Sequence, residues 1–187
     1  MALSFNGNTQ SKIKFNNNNN VSKVVFNGNT VWEKSSGFIN IFDLSKIEFS
    51  GNVTKTDSSI TFDNSTTKTP TYYNSTSVNS LGLKPNTTYS TKAKITYEII
   101  QEGGGSAGSM EGCIFLQKTE NYSYDDKYAI VGKSYAKTEI VYNKFTTPSN
   151  LTGYDYLVAR ASGYKKMTFE DIVIIEGNYD ESNFPNV

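Results

Sequence analysis

The 187-residue chain has no histidine and a single cysteine, Cys113. Without histidine, a serine or cysteine nucleophile lacks its usual general base, and the common zinc sites lack their imidazole ligands. One cysteine excludes an internal disulfide framework. Because Cys113 lies in the apolar stretch "GCIFLQ", we interpret it as a buried core residue. These absences disfavour most hydrolase chemistry and zinc-dependent function.

Net charge and long apolar runs are missing as well. Eighteen basic residues balance eighteen acidic ones, so no overall field attracts the chain to nucleic acid or to an anionic membrane. The longest apolar runs, such as residues 172–175, are too short to span a bilayer. The stretch "MALSFNGNTQ" lacks the basic start and apolar centre of a signal peptide. We therefore expect no nucleic-acid partner, no membrane segment, and export by another route, such as release within an assembled particle.

Residues that favour strands and turns are abundant, whereas helical periodicity is scarce. The chain contains 13 tyrosines and 11 phenylalanines together with many Thr, Ser and Asn residues. The stretch "TTYSTKAKITYEII" (87–100) alternates strictly, as a half-buried strand does. The residues predicted on its buried face are Tyr89, Thr91, Ala93, Ile95, Tyr97 and Ile99. About seven or eight such strands without helices predict an all-β fold, a jelly-roll β-sandwich of two sheets over residues 37–187.

An internal repeat occupies residues 1–36. The units "FNGNTQSKIKF", "FNNNNNVSKVVF" and "FNGNTVWEK" each combine an Asn-rich turn with a short strand. Asn-Gly pairs at 6–7 and 27–28 are strong hairpin signals because both residues tolerate positive φ, and the asparagines at 16–20 fill the equivalent turn. Such a β-hairpin ribbon buries too little surface to stand alone, so we predict that it anchors the chain to a neighbouring chain or particle. The predicted contact residues are Val24, Phe26, Val31 and Trp32.

Three stretches of the second region resemble a known group of proteins. The stretch "LGLKPNTTYSTKAKITYE" (81–98) resembles the turn and strand of carbohydrate-binding-module-like jelly rolls in tail, baseplate and fibre proteins of phages that infect Gram-positive bacteria. The stretches "YNKFTTPSNLTGYDYLVARASG" (142–163) and "MTFEDIVIIEGNYDESNFPNV" (167–187) are similar to the paired strands and closing strand of that group. The N-terminal units resemble the short "V-x-x-V-x-(Y/F)-N-G-x-x-V-W" repeats of phage tail and baseplate proteins.

This resemblance implies a non-enzymatic phage virion protein, a fibre, decoration or tail component, with its jelly roll displayed on the particle surface. The partners that it implies are other virion proteins, further copies of the chain and, through adhesion, host cell-wall polysaccharide. No cofactor is implied. Two alternatives stay open: a purely structural virion component without a glycan ligand, and a secreted bacterial sugar-binding module.

Tyrosines in polar, turn-rich surroundings are the candidate carbohydrate-binding residues. Sugar sites stack aromatic rings on pyranose rings beside a few convergent polar groups. The candidates are Tyr72, Tyr73, Tyr122, Tyr124 and Tyr128. The alternative is that they are half-buried strand residues, and the neighbours Tyr72 and Tyr73 must point to opposite faces of any strand.

Acidic residues give no comparable pattern. Asp125, Asp126 and Asp171 are possible calcium ligands, but calcium requires several converging oxygens and none are indicated. A glycosidase requires two carboxylates that flank a cleft, and no motif marks such a pair. We therefore predict neither a metal site nor catalysis.

Overall fold

The computed structural model describes residues 3–5, 8–10, 23–26, 29–33, 38–101, 112–121, 127–134 and 138–185. The chain divides into two compact units, Met1–Phe38 and Ile39–Val187. Their strands are β1 (Leu3–Phe5), β2 (Asn8–Gln10), β3 (Lys23–Phe26), β4 (Asn29–Glu33), β5 (Val53–Lys55), β6 (Ser59–Asp63), β7 (Thr71–Asn74), β8 (Thr88–Ile99), β9 (Gly112–Gln117), β10 (Lys127–Ser134), β11 (Glu139–Thr146), β12 (Tyr156–Ala161) and β13 (Lys165–Glu176).

Helical structure in the described residues is limited to single turns. These 3-10 segments are Leu44–Lys46, Asn79–Gly82 and Glu181–Asn183. No helix in this part of the chain has the length and apolar character needed to cross a membrane.

The first unit contains two antiparallel hairpins. β1 pairs with β2 so that Phe5 lies opposite Asn8, and β3 pairs with β4 so that Phe26 lies opposite Asn29. These are the pairings that the two-residue Asn-Gly connections predict. The register of β3 against β4 shifts once, since Val24 lies opposite Trp32 whereas Val25 lies opposite Thr30. The asparagine run at 16–20 lies outside the described residues.

The second unit is a β-sandwich of two antiparallel sheets. The four-stranded sheet has the order β10-β9-β12-β7, and the five-stranded sheet has the order β11-β8-β13-β6-β5. Neighbouring strands within each sheet pair antiparallel. This arrangement confirms the predicted all-β sandwich.

Apolar side chains of both sheets form one core between them. The four-stranded sheet contributes Ile114, Leu116, Leu157 and Ala159, and the five-stranded sheet contributes Ile60, Phe62, Ile95, Phe169 and Ile174. The predicted alternation of β8 is confirmed where the strand crosses this core: Tyr89, Ala93 and Ile95 are at most 2% exposed. Ile99 is 53% exposed because β8 continues beyond the core.

A buried polar network fixes the connection from β6 to β7. Asn64 is 1% exposed. Its Nδ2 donates to Thr69 O (2.9 Å) and Ala161 O (3.3 Å), and its Oδ1 accepts from Thr71 Oγ1 (2.6 Å) and from Thr67 Oγ1. Because Thr71 begins β7 and Ala161 ends β12, this network sets where β7 enters the four-stranded sheet.

The same connection approaches the chain after β12 very closely. A Cβ atom added at Gly163 would lie 2.4 Å from Lys68 O. Tyr164 N donates to Thr67 O at 2.8 Å, and Asn64 N donates to Lys165 O at 2.9 Å. The β6–β7 connection is therefore held by backbone contacts as well as by Asn64.

Candidate functional site

The outer face of the four-stranded sheet, which points away from the core, carries an aromatic and polar set of side chains. Successive strand residues point to opposite faces, and the core contains Leu157, Ala159 and Ala161 but not Val158 or Arg160. The cross-strand registers place ten residues of the described strands on this face. Five of them are buried, namely Cys113, Phe115, Gln117, Val158 and Arg160. The half-buried residues, which a ligand can reach, are Tyr72, Asn74, Lys127, Ala129 and Tyr156.

Two cation–aromatic pairs lie on this outer face. Arg160 Cζ lies 5.7 Å from the centroid of the Tyr72 ring, and Lys127 Nζ lies 5.1 Å from the centroid of Phe115. Such pairs are attractive because the ring face is electron-rich. Arg160 is opposite Tyr72 and Cys113 in the sheet register. The pairs hold both rings and both cations in defined positions.

Gln117 orders the connection that follows β9. Its side chain is fully buried. Its Nε2 donates to Thr119 O at 2.6 Å and to Asn121 O at 2.7 Å. In the register of the sheet, Gln117 lies between Lys127 of β10 and Tyr156 of β12, so this anchored turn borders the end of the face where Tyr156 lies.

Tyr156 is the aromatic side chain of this face that is not engaged by other described residues. It is half-buried, and its ring and hydroxyl make no aromatic, cation–π or hydrogen-bond contact within the described parts of the chain. Asn74 lies diagonally across from it, since Val158 is opposite Asn74 in the register. Diagonal neighbours in a sheet are about 7–8 Å apart, within reach of a long aromatic side chain.

Asn74 offers an acceptor diagonally across the sheet from Tyr156. Its Oδ1 is buried and has no hydrogen-bond partner among the residues that the structure describes. A buried acceptor without a partner costs about 1–3 kcal/mol, so a donor brought by a ligand would be favourable there. An aromatic ring beside a hydrogen-bonding amide is the combination that binds a hydroxylated ring compound.

The structure separates the tyrosines that the sequence singled out. Tyr72 lies on the outer face, whereas Tyr73 is 3% exposed and packs against Phe62 at a centroid distance of 5.1 Å. Tyr128 lies opposite Leu116, packs against the core and contacts Tyr154 at 5.3 Å. The other two candidates, Tyr122 and Tyr124, lie outside the described residues.

Burial raises the pKa of the Tyr73 hydroxyl. Its hydroxyl donates to Asp63 O at 2.6 Å. Burial, together with the nearby Asp63 charge, raises the pKa of Tyr73 from 10.0 to about 12. The neutral phenol is thus favoured by the folded state, and this side chain is a core component and not a surface platform for a ligand.

Sequence reasoning missed Tyr156, Asn74 and Phe115 as members of one face. Alternation within "YDYLVARA" and "TYYNS" indicated which residues share a face of each strand. It did not indicate that β12 pairs with β7, because that pairing joins residues about 84 positions apart in the sequence, as in Val158 and Asn74.

The four predicted anchoring residues lie on the second hairpin of the first unit. Val24 and Phe26 belong to β3, and Val31 and Trp32 belong to β4. Val24 and Trp32 are register partners, and Val31 is the extra residue at the shift. Their anchoring role stays a prediction.

Two carboxylates that the structure describes are held in ion pairs. An ion pair with Lys46 (2.7 Å) lowers the pKa of Asp43, and one with Lys94 (2.7 Å) lowers the pKa of Glu170. A general acid requires a raised carboxyl pKa. Within the described residues, no group of three or more Cys, Asp or Glu side chains could hold a metal ion.

Comparisons with known proteins give one family match and several structural similarities. The FAINT family, described as a domain of unknown function (DUF529), matches residues 3–42, about a fifth of the sequence. That match covers both N-terminal hairpins and leaves the β-sandwich uncovered. No curated protein matches the chain significantly.

Among solved structures, carbohydrate-binding modules are similar to the chain. A family 16 module is 15% identical with a TM-score of 0.37, covering 65% of this chain and 79% of its own. A family 29 module from Piromyces equi is 15% identical with a TM-score of 0.37, covering 80% and 87%. The C-terminal family 22 module of Clostridium thermocellum Xyn10B is 16% identical with a TM-score of 0.41, covering 77% and 94%. At these TM-scores, binding residues do not transfer between structures.

Proposed function

We propose that the β-sandwich is a non-catalytic polysaccharide-binding module that binds through the outer face of the four-stranded sheet. The observation that carries this proposal is the half-buried Tyr156 ring, unengaged by other described residues, beside the unpaired Oδ1 of Asn74. A pyranose ring would stack on Tyr156 while one of its hydroxyl groups donates to Asn74. The Tyr72–Arg160 pair then borders the bound sugar on the same face.

This geometry suits a weak, repeated contact. One aromatic platform with few polar partners gives modest affinity, and many copies on one scaffold convert later contacts into intramolecular ones. Multivalent display thus raises the overall binding affinity above that of a single module. Sugar binding also needs no cofactor, in keeping with the groups on this face.

The proposal is tested with the full chain immobilised at high density and purified Gram-positive cell-wall polysaccharides in solution. We expect saturable binding by the wild type and a loss of about tenfold in affinity for Tyr156→Ala, because truncating an aromatic anchor removes about 1.4 kcal/mol or more. Tyr156→Phe should retain most of the binding, since the stacking surface remains.

A matched control is Tyr142→Ala. Tyr142 is also a half-buried strand tyrosine, but it belongs to the five-stranded sheet and contacts Phe184 at 5.6 Å. Its loss should leave binding unchanged. Equal binding by Tyr156→Ala and wild type, with both variants folded by circular dichroism, would show that this face is not the binding surface.

We further propose that the module is displayed on a phage particle, where it promotes adhesion to the host surface. The resemblance of residues 81–98 and of the N-terminal units to phage tail, baseplate and fibre proteins supports this role. The two small hairpins of the first unit also support it, because two-stranded pieces are marginal in water on their own and gain stability by docking to a neighbour. Mass spectrometry of purified particles tests the proposal, and absence of the chain from them contradicts it.

A further inference from the structure

A cleft of about 700 Å³ lies beside an irregularity in β13. The register of β13 against β8 shifts between Glu170 and Val173, and the pairing of β13 with β6 ends at Glu170. Beyond the shift a different segment contacts β13: Asn40 Nδ2 donates to Ile172 O, and Asn40 Oδ1 accepts from Ile174 N, both at 2.9 Å. The cleft therefore lies where β6 stops pairing with β13 and the segment that contains Asn40 begins to contact it.

The lining of this cleft combines donors and acceptors. Its polar side chains are Asn40, Asp43, Ser45, Asp57, Ser58, Lys92 and Asp171. Asp171 lies within the irregular part of β13 with φ +51°, and its N–H donates to Ser58 O at 3.2 Å. An extra residue in a strand redirects a side chain out of the regular alternation. The fold thereby places the Asp171 carboxylate at the cleft.

Three charged side chains of the lining lack a direct hydrogen bond or ion pair within the described residues, although the Asp171 carboxylate contributes to the raised pKa of Lys94. Asp43 is paired with Lys46 (2.7 Å) and accepts from Ser45 Oγ (2.6 Å). By contrast, the side chains of Asp57, Asp171 and Lys92 have no hydrogen bond or ion pair within the described residues. The cleft therefore presents two carboxylates and one ammonium to a ligand.

This charge pattern indicates which chemical class of ligand the cleft would bind. Two carboxylates attract a cation, but no described group of three or more acidic or thiol side chains could hold a metal ion. A larger ligand that carries one ammonium group and several hydroxyl groups satisfies more of the lining, since Ser58 and Lys92 can then bond its hydroxyls. The volume lies in the range of small-molecule sites, about 300–1,000 Å³.

We propose that this cleft binds a protonated amino sugar, with its ammonium at Asp57 and Asp171 and a hydroxyl oxygen at Lys92. The site is separate from the face that carries Tyr156, so it would give the module a preference for polysaccharides with free amino groups. Its carboxylates are exposed, so each ion pair contributes little, and the site would modulate binding instead of dominating it.

The test titrates the isotopically labelled full chain with methyl glucosaminide at about pH 6, where Asp side chains are ionised and amines are protonated. We expect saturable NMR shifts at the amides of Asp57 and Asp171. Methyl N-acetylglucosaminide and methyl glucoside, which lack the charge, should bind about five- to tenfold more weakly. Asp171→Asn should weaken glucosaminide binding about two- to fivefold, whereas Glu181→Gln, an exposed acid in the C-terminal segment, should have no effect.

Several results overturn the proposal. Equal shifts with all three sugars would show that the ammonium is not recognised, and unchanged glucosaminide binding by Asp171→Asn would place binding elsewhere. Saturation of the same amides by Ca²⁺ alone, with displacement of the sugar, would identify a cation site instead. Tyr156→Ala should not alter glucosaminide shifts at this cleft, so failure here and failure of polysaccharide binding at the outer face are distinguishable.

Discussion

Replacement of Asn64 tests whether the β6–β7 connection is held by its buried side chain. Asn64→Ala removes four hydrogen bonds, two donated by Nδ2 and two accepted by Oδ1. At about 0.5–1.5 kcal/mol net for each bond, the loss would be about 2–6 kcal/mol. Thr67 Oγ1 can still donate to Thr69 O at 2.9 Å, so these two groups keep a hydrogen-bond partner after Asn64 is replaced. We therefore expect a loss near the lower end, about 3 kcal/mol.

Urea denaturation followed by fluorescence measures this loss. The midpoint should fall without a change in the slope, because the folded and unfolded surfaces remain similar. Asn52→Ala is the control, since Asn52 is exposed and its side chain makes no hydrogen bond within the described residues; it should change stability by less than about 0.5 kcal/mol. If Asn64→Ala costs less than about 1 kcal/mol, the network does not hold the connection and the reasoning fails.

Two further predictions concern Tyr73 and the N-terminal hairpins. The raised pKa of Tyr73, about 12 against 10.0, means that its contribution is complete below pH 10 and is lost as the pH rises toward 12; the unfolding free energy of the wild type should fall more steeply over this interval than that of Tyr73→Phe, and parallel curves would contradict the assignment. Replacing Phe26 and Trp32 with alanine should release the protein from phage particles while the β-sandwich stays folded, as measured by particle-bound protein on gels; unchanged incorporation would exclude the hairpin as the anchor.

Local sequence patterns predicted much of the sandwich. The alternation in residues 87–100 gave β8 and the buried side of Tyr89, Ala93 and Ile95, and the opposite orientations of Tyr72 and Tyr73 followed from strand geometry alone. The burial of Cys113 is confirmed, although it lies outside the main core. In each case the information is contained within a few consecutive residues.

What the sequence did not reveal depends on distant parts of the chain. The stretch "SKIEFSG" (45–51) alternates apolar and polar residues as a strand would. In the structure it begins within a 3-10 turn at Leu44–Lys46 and forms an isolated bridge, Phe49 opposite Ser75. The neighbours Tyr156 and Asn74 come together only through strand order, which local alternation leaves open. The position of Asp171 depends on the register shift in β13, which no residue type in the sequence predicts.

The central place of β13 has a consequence for biosynthesis. Its partner β6 lies about one hundred residues earlier, as the hydrogen-bonded pair Thr61 and Thr168 shows (2.8 Å, 107 positions apart). On a ribosome, β5 and β6 therefore emerge well before the strand that connects them to β8. Nascent chains must keep these edges unpaired until residues 165–176 leave the exit tunnel, and long-range β pairing is slow and exposed to aggregation.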